Sequence, residues 1–340
     1  MTPLLRRRYM TWRPPVDPPQ DGYTLLMPVP GDLPILTRLA LDVCSRQDPT
    51  GRHETILLPD RLTPEWLDLV APLAQTSSAG VVRWVALDTF DALMVERYAD
   101  AALINWLQWV RGVEAVTTTH AVWHDSDLFF TDPCFLRQHV ETCATRGLAV
   151  YGVSPAWDSW YARRGLGHIT AAWEIAFAVA WARRFAPWDF RGHDAAWNGE
   201  RHTFDVTYWP QANTPPDHIA RLPTESGFVH FSHVVSEYRL FQAAGGPFED
   251  AHYRLLLVRL LADAYAAPSS AASIPALGDL IAGIDTDAAR VTYRRPTTRA
   301  NWPACYARLA PLLAGGILGG ATTEALRAGV ARFERALARG

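Results

Sequence analysis

Apolar runs of strand length alternate with helix-patterned stretches from Tyr23 onward, and this rhythm restricts the fold more than any single motif does. Residues 23–29 and 55–58 read as buried strands, closed by the turn signals Pro30-Gly31-Asp32 and Pro59-Asp60. Residues 33–44 carry Leu36, Leu39, Ala40 and Val43 at helical spacing. Thr63 is placed to cap a second helix, with Pro64 and Glu65 in its first turn and Leu73 at its end. Residues 81–87 then read as a third strand and 98–110 as a strongly apolar helix. Ala121, Val122 and Trp123 form a fourth strand core, too short for a helix. Strands joined by crossover helices in this order build a parallel, doubly wound α/β sheet.

That fourth strand runs into Asp125-Ser126-Asp127, so two carboxylates stand where a strand leaves the sheet. Ligands of open α/β sheets collect at the carboxyl ends of strands. Carboxylates one residue apart in such a place can hold a hard divalent cation that also grips phosphate oxygens. The tripeptide alone is weak, since Asp-x-Asp arises by chance about once in a chain of this length. Its weight comes from the strand in front of it.

Composition removes several alternatives. The 340 residues suffice for one large domain or somewhat more, with ample core. A formal charge of −3 argues against a sequence-independent nucleic-acid binder. All 32 basic residues are arginine, which excludes Schiff-base chemistry and the Walker lysine. No G-x-G-x-x-G follows the first strand, so a dinucleotide oxidoreductase is not expected either. Cys44, Cys134, Cys143 and Cys305 form no C-x-x-C pair and read as reduced thiols. Arg6-Arg7-Arg8 is followed by a proline-rich stretch without the apolar core of a signal peptide, and no stretch reads as a membrane span. A cytoplasmic protein is the expectation.

Past the acidic turn, residues 135–146 are patterned as a helix and 148–153 as a strand. Residues 157–209 hold seven of the 14 tryptophans, and aromatic faces stack on sugar rings and apolar aglycones. Trp173, Phe177 and Trp181 sit at helical spacing within 170–185 and read as core of a helix there. Trp157, Trp160 and Trp188 lie in polar or proline-flanked surroundings and are expected to be exposed. Arg163 and Arg164 precede Gly165-Leu166-Gly167, a loop with glycine hinges whose guanidiniums suit either a diphosphate or solvent. Residues 250–264, 274–284 and 322–339 are helical in pattern, with 268–273 and 294–298 as connecting loops. Packing against the sheet, or in a homodimer, is the role open to these helices.

A first strand ending at Pro28-Val29-Pro30, a second ending at Asp60, a helix carrying Asn105, and an apolar strand entering Asp125-Ser126-Asp127 together resemble the GT-A glycosyltransferases. The resemblance covers roughly residues 22–240. It implies a GT-A-like, Rossmann-type doubly wound mixed sheet with a C-terminal helical extension. The chain then divides into a lead-in (1–21), a nucleotide-sugar half (22–150), an acceptor half (151–248) and the extension (249–340). The family binds a nucleoside-diphosphate sugar with Mn²⁺ or Mg²⁺ and transfers the sugar to an acceptor hydroxyl of a small molecule, natural product or glycan. By resemblance, Pro28, Val29, Pro30, Asn105 and Ser126 line the donor pocket, Asp60 hydrogen-bonds the base, and Asp125 and Asp127 hold the metal. His230, or alternatively His233, resembles the late histidine that completes the metal site. The segment Arg191-Gly192-His193-Asp194 resembles the acidic motif on the acceptor side, making Asp194 the expected base ahead of Asp189 or Asp205. Glycogenin-like retaining members continue the late histidine as H-x-x-G-x-x-K-P-W, whereas His233 and Ser236 stand here at the Gly and Lys positions, leaving Arg239 for the phosphates.

Three competitors share parts of this pattern. A haloacid-dehalogenase-like phosphatase also places Asp-x-Asp after a strand, but its motif opens the chain and it relies on a later lysine. A sugar nucleotidyltransferase wants a glycine-rich basic loop after the first strand. A catalytically silent sugar-binding or scaffold protein keeps the fold and does not require the carboxylates.

Overall fold

The computed structural model describes residues 3–15, 18–76, 80–98, 100–249, 253–268, 271–287, 290–314 and 316–339. Strands β1 (Gln20–Val29), β2 (Arg52–Pro59), β3 (Val81–Trp84) and β4 (Thr118–His124) are parallel in the order β3-β2-β1-β4. Between them run α2 (Pro34–Ser45), α3 (Pro64–Thr76), α4 (Thr89–Tyr98) and α5 (Ala101–Ala115), preceded by the short α1 (Pro3–Arg8). Alternate residues feed two layers, as a sheet buried on both faces requires. Leu25, Met27, Leu57 and Val122 face one, and Leu26, Ile56, Leu58 and Trp123 the other.

After β4 the chain makes β5 (Leu128–Phe130), α6 (Phe135–Thr145), β6 (Val150–Gly152), α7 (Ser159–Arg163), β7 (Glu174–Ala178) and α8 (Val179–Ala182). The hairpin β8 (His193–Trp197)/β9 (Glu200–Phe204), α9 (Tyr208–Ala212), β10 (Ile219–Arg221), β11 (Phe228–His230) and α10 (Val234–Ala243) follow. β7 lies between β4 and β6 and is antiparallel to both, and β10 closes that edge. The central sheet is therefore mixed, with seven strands. The helices α11 (Arg254–Ala264), α12 (Leu277–Ala282), α13 (Arg295–Leu313) and α14 (Gly320–Ala338) complete the chain. Leu256, Leu260, Leu326 and Phe333 share one core with Leu36 and Leu39 of α2, so the extension packs onto the sheet's own helical layer.

Four expectations need correction. Residues 170–185 are not one helix: Glu174–Ala178 is a central strand and only Val179–Ala182 turns helical. A strand covered on both faces is apolar on both, so aromatic spacing does not reveal its period. The helix drawn over 98–110 starts and ends later, as α5, with Asp100 accepting from Ala102 N (2.8 Å) and Leu103 N (3.3 Å) at its start. α13 begins at Arg295, inside the loop expected over 294–298, and accommodates Pro303 and Pro311. The lead-in is anchored rather than merely superficial. Tyr9 is 2% exposed and packs edge-on against Trp106 at 4.7 Å. Residues 1–2, 16–17, 250–252 and 269–270, which fall in the expected lead-in, helix and loop, lie outside the described residues.

Candidate functional site

β4 ends at His124, and the next four residues turn tightly, Leu128 N donating to Asp125 O at 3.1 Å. The turn is fixed from two sides. Asp125 N donates to Trp173 O (3.0 Å) at the start of β7, and β5 pairs antiparallel with β11 in the register Leu128↔His230. Gly227, at φ 85°, opens β11 and accepts from Thr131 N at 2.8 Å. This pairing brings His230 across just over a hundred residues to Asp127. His230 Nε2 lies 3.3 Å from Asp127 Oδ1, while Val234 N approaches Oδ2 at 3.4 Å. Ligand atoms of Asp125, Asp127 and His230 all fall within 4.8 Å of one another.

The charges at this turn are strongly skewed. Burial and the neighbouring Asp127 push Asp125 well above the ordinary carboxylate range. Burial acts on Asp127 in the same sense, but the hydrogen bond and charge of His230 overcome it and hold Asp127 low. His230 is raised for the reciprocal reason, against its own burial. Behind the turn, the ladder pairs His124 with Glu174, and His124 Nδ1 meets Glu174 Oε2 at 2.7 Å with both side chains fully buried. Burial lifts Glu174 well above its usual range. No sequence signal pointed to this pair beyond a lone acid within an apolar run.

The trio lies on a cavity of about 820 Å³. Pro28, Val29 and Pro30 from the end of β1, Asp60 from the end of β2, and Asn105 and Gln108 from α5 line one side. Asn105 Oδ1 is buried with no hydrogen-bond partner among the described residues, whereas Gln108 Nε2 donates to Leu58 O at 2.6 Å. Trp157, Trp173, Asp205, Ser232 and His233 also line the cavity. Trp173 is half-buried, its ring 4.4 Å from that of His230, so it belongs to the cavity wall rather than to a helix core. Ser126 is buried within the turn and also faces the cavity. A second cavity, of about 690 Å³, shares Asp60 with the first and extends toward α4.

Asp60 is only 3% exposed and both its oxygens are engaged. Oδ1 accepts from Gly31 N at 2.8 Å, and Oδ2 receives Arg239 of α10. Gly31 fits because a β-carbon there would stand 1.9 Å from Arg61 O. Arg239 also forks onto Asp32, at 2.9 and 2.8 Å, and this pairing holds Asp32 low against its burial. Arg239 thus ties α10 to the ends of β1 and β2.

Other expected residues stand elsewhere. Asp194 is exposed on the β8/β9 hairpin, accepts from Thr203 Oγ1 at 2.6 Å, and does not line the cavity. It is a residue of strand β8. Asp189 closes a short turn by accepting from Ala186 N at 3.0 Å. Asp205, at the end of β9, is the acid of this region that reaches the cavity. His233 lines the mouth, exposed and at φ 64°, outside the acidic trio. Arg163 and Arg164 turn to Ser159 and Glu200, away from the cavity. Trp160 is buried and Trp188 half-buried, so of the three tryptophans expected at the surface only Trp157 is exposed, at 73%.

No family model matches the sequence, and no curated protein is significantly similar to it. Solved structures of glycosyltransferases resemble its fold. A mannosyltransferase from Pyrobaculum calidifontis in complex with GDP-mannose and Mn²⁺ is 14% identical, covering 98% of this chain and 94% of its own, at a TM-score of 0.42. Glucosyl-3-phosphoglycerate synthase from Mycobacterium tuberculosis, with Mn²⁺, UDP and glucosyl-3-phosphoglycerate, is 14% identical over 75% of this chain and 81% of its own, at 0.41. The galactosyltransferase LgtC, with donor and acceptor sugar analogues, is 8% identical over 49% of this chain and 62% of its own, at 0.39. Likeness at these levels assigns no role to individual residues of this chain. Among the described residues no helix is long and apolar enough to cross a membrane.

Proposed function

We propose that this chain is a metal-dependent glycosyltransferase that moves a sugar from a nucleoside-diphosphate sugar to an acceptor hydroxyl. The observation that carries the reading is the convergence of Asp125, Asp127 and His230 on one side of a large cavity at the carboxyl ends of β1, β2 and β4. Two carboxylate oxygens and one imidazole nitrogen suit Mn²⁺ or Mg²⁺ and leave coordination positions for phosphate oxygens and water. When bound, such a cation screens the charge that collects on the leaving diphosphate.

The chain's own residues have separable tasks. Asp125, Asp127 and His230 would hold the cation, with His230 set beside Asp127. Pro28, Val29 and Pro30 wall the nucleoside, and Asn105 offers its unpartnered oxygen to the donor. Asp60 acts through structure, keeping Gly31 and Arg239 in place so that the donor meets a preformed wall. In the transfer the acceptor oxygen forms a bond to the anomeric carbon, the carbon–oxygen bond to phosphate breaks, and the electron pair leaves with the diphosphate. If configuration inverts, the acceptor proton passes to a carboxylate, and Asp205 is better placed than Asp194 to receive it.

The test is a thermal-shift screen of nucleoside-diphosphate sugars with and without Mn²⁺. A donor that binds the folded state stabilises it by mass action, about 2.7 kcal/mol at a hundred times Kd. Stabilisation that needs both donor and cation is the expected result. A screen in which no donor stabilises the chain would leave it a silent bearer of the fold.

A further inference from the structure

We infer that the acceptor is an uncharged, hydroxyl-rich ring that stacks on Trp157 and hydrogen-bonds to Asp205. This rests on the transfer reading above and names the substrate class of its second site. Trp157 is the most exposed large apolar side chain among the described residues, at 73%, and it lines the main cavity. The residues on either side of it are anchored. Ala156 N donates to Ile169 O at 3.0 Å. Asp158 caps Trp160 N at 2.8 Å and meets His202 Nε2 at 3.1 Å, and the His202 ring stacks on Trp160 at 3.8 Å. An exposed indole between two anchored residues, lining the cavity, is a preformed platform that loses little freedom on binding.

The charges select the class of ring. Asp205 lines the same cavity, and one of its oxygens accepts from Val206 N at 2.7 Å. The one guanidinium on the cavity wall among the described residues, Arg239, already serves Asp32 and Asp60. The sequence contains no lysine. His230 faces Asp127, and His233 stands at the start of α10. A phosphate or carboxylate on the acceptor would therefore meet Asp205 and the donor's own diphosphate with no uncommitted guanidinium among the described residues lining the cavity. A neutral pyranoside meets no such penalty: its C–H face covers the indole and its hydroxyls donate to the carboxylate.

The experiment is a ligand-observed NMR titration of the full chain with methyl α-D-mannopyranoside, methyl β-D-glucopyranoside and 3-phosphoglycerate. Each is measured with Mn²⁺, in the presence and absence of UDP or GDP, for wild type, Trp157→Ala and Trp157→Phe. The expected result is that a pyranoside binds and 3-phosphoglycerate does not. Trp157→Ala should weaken pyranoside binding about tenfold and Trp157→Phe should restore most of it. Nucleotide affinity serves as the folding control. Tighter binding of 3-phosphoglycerate, or a pyranoside affinity indifferent to Trp157, overturns the inference. No pyranoside binding by wild type with nucleotide bound overturns it equally. Trp157-dependent pyranoside binding in a chain that fails to bind nucleotide leaves this subsite standing and removes the donor reading instead.

Discussion

Asp127→Asn separates metal binding from folding, because the metal site depends on this carboxylate far more than the fold does. In the folded chain Asp127 faces His230 at 3.3 Å and shares a space of 4.8 Å with Asp125. At an effective dielectric of about 20, the attraction to His230 is worth up to about 5 kcal/mol, and most of it is offset by the cost of burying the Asp127 charge. Asparagine removes both, keeps the shape and can still accept from Val234 N, so the cost without metal is of the order of 1.5 kcal/mol. At roughly 2 °C per kcal/mol for a chain of this size, Tm falls by only about 3 °C. The cation site loses a charged ligand outright, and affinity for Mn²⁺ with a nucleoside diphosphate should fall at least about a hundredfold, near 2.7 kcal/mol. Differential scanning fluorimetry with Mn²⁺ and UDP or GDP reads both effects: a nearly unchanged apo Tm and a ligand-induced shift reduced to nothing. A variant that keeps the full metal-dependent shift refutes the assignment. One that unfolds outright refutes the balance of charges instead.

Arg239→Ala leaves Asp60, which is almost wholly buried, without its countercharge, and should cost about 2–3 kcal/mol after discounting the partial exposure of Arg239. Chemical denaturation checks it, and Arg239→Lys should recover part of the loss. A second prediction concerns pH. Burial lowers His139 to about 3, with Ala176 N donating to its Nε2 at 3.2 Å, so the folded chain keeps this ring neutral. Below the unfolded value near 6.5 the unfolded chain binds a proton that the folded chain refuses, and stability falls as pH drops from about 6.5 toward about 3. Between pH 7 and 5 wild type should lose about 2 kcal/mol more than His139→Gln in urea denaturation, and equal losses would show that His139 is protonated in the fold. Finally, Asp194→Asn should leave turnover within about threefold, as an exposed hairpin residue allows, whereas Asp205→Asn should lower it by about a hundredfold or more if the enzyme inverts. Steady-state kinetics on the two variants decide between them.

The parallel half of the sheet was readable because each strand is short, uniformly apolar and followed by a turn signal. Thr63 caps α3 as its position suggested, donating to Gly31 O (2.8 Å) and accepting from Trp66 N (3.1 Å). The antiparallel half was not readable. β7 is apolar on both faces, and the alternation that would have distinguished it from a helix is absent. Asp194 and Asp205 look equivalent in sequence, each an acid near aromatic residues. What separates them is the hairpin, whose residues alternate between partial and full exposure and carry Asp194 outward. The Asp60–Arg239 pair joins residues 179 apart and leaves no local trace.

The choice between His230 and His233 shows why the metal site is a tertiary construction rather than a motif. Both histidines follow the same short apolar run, and sequence spacing treats them alike. Register decides. Phe130↔Phe228 and Leu128↔His230 are opposed in the β5/β11 ladder, which sets the imidazole beside Asp127, while the chain beyond it turns through Ser232 and His233 at positive φ into α10. A slip of one residue would send His230 to the opposite face of the ladder. Phe228 is seated against Phe135 at 5.8 Å and Trp173 at 5.7 Å, and Phe231 against Phe129 at 5.5 Å. These aromatic contacts flank the histidine on both sides and hold it in phase. Phe231→Ala should therefore weaken metal-dependent nucleotide binding although Phe231 touches neither ligand. A loss of stability with fully retained Mn²⁺ affinity would show that the tight turn at 125–128, not the ladder, fixes the imidazole.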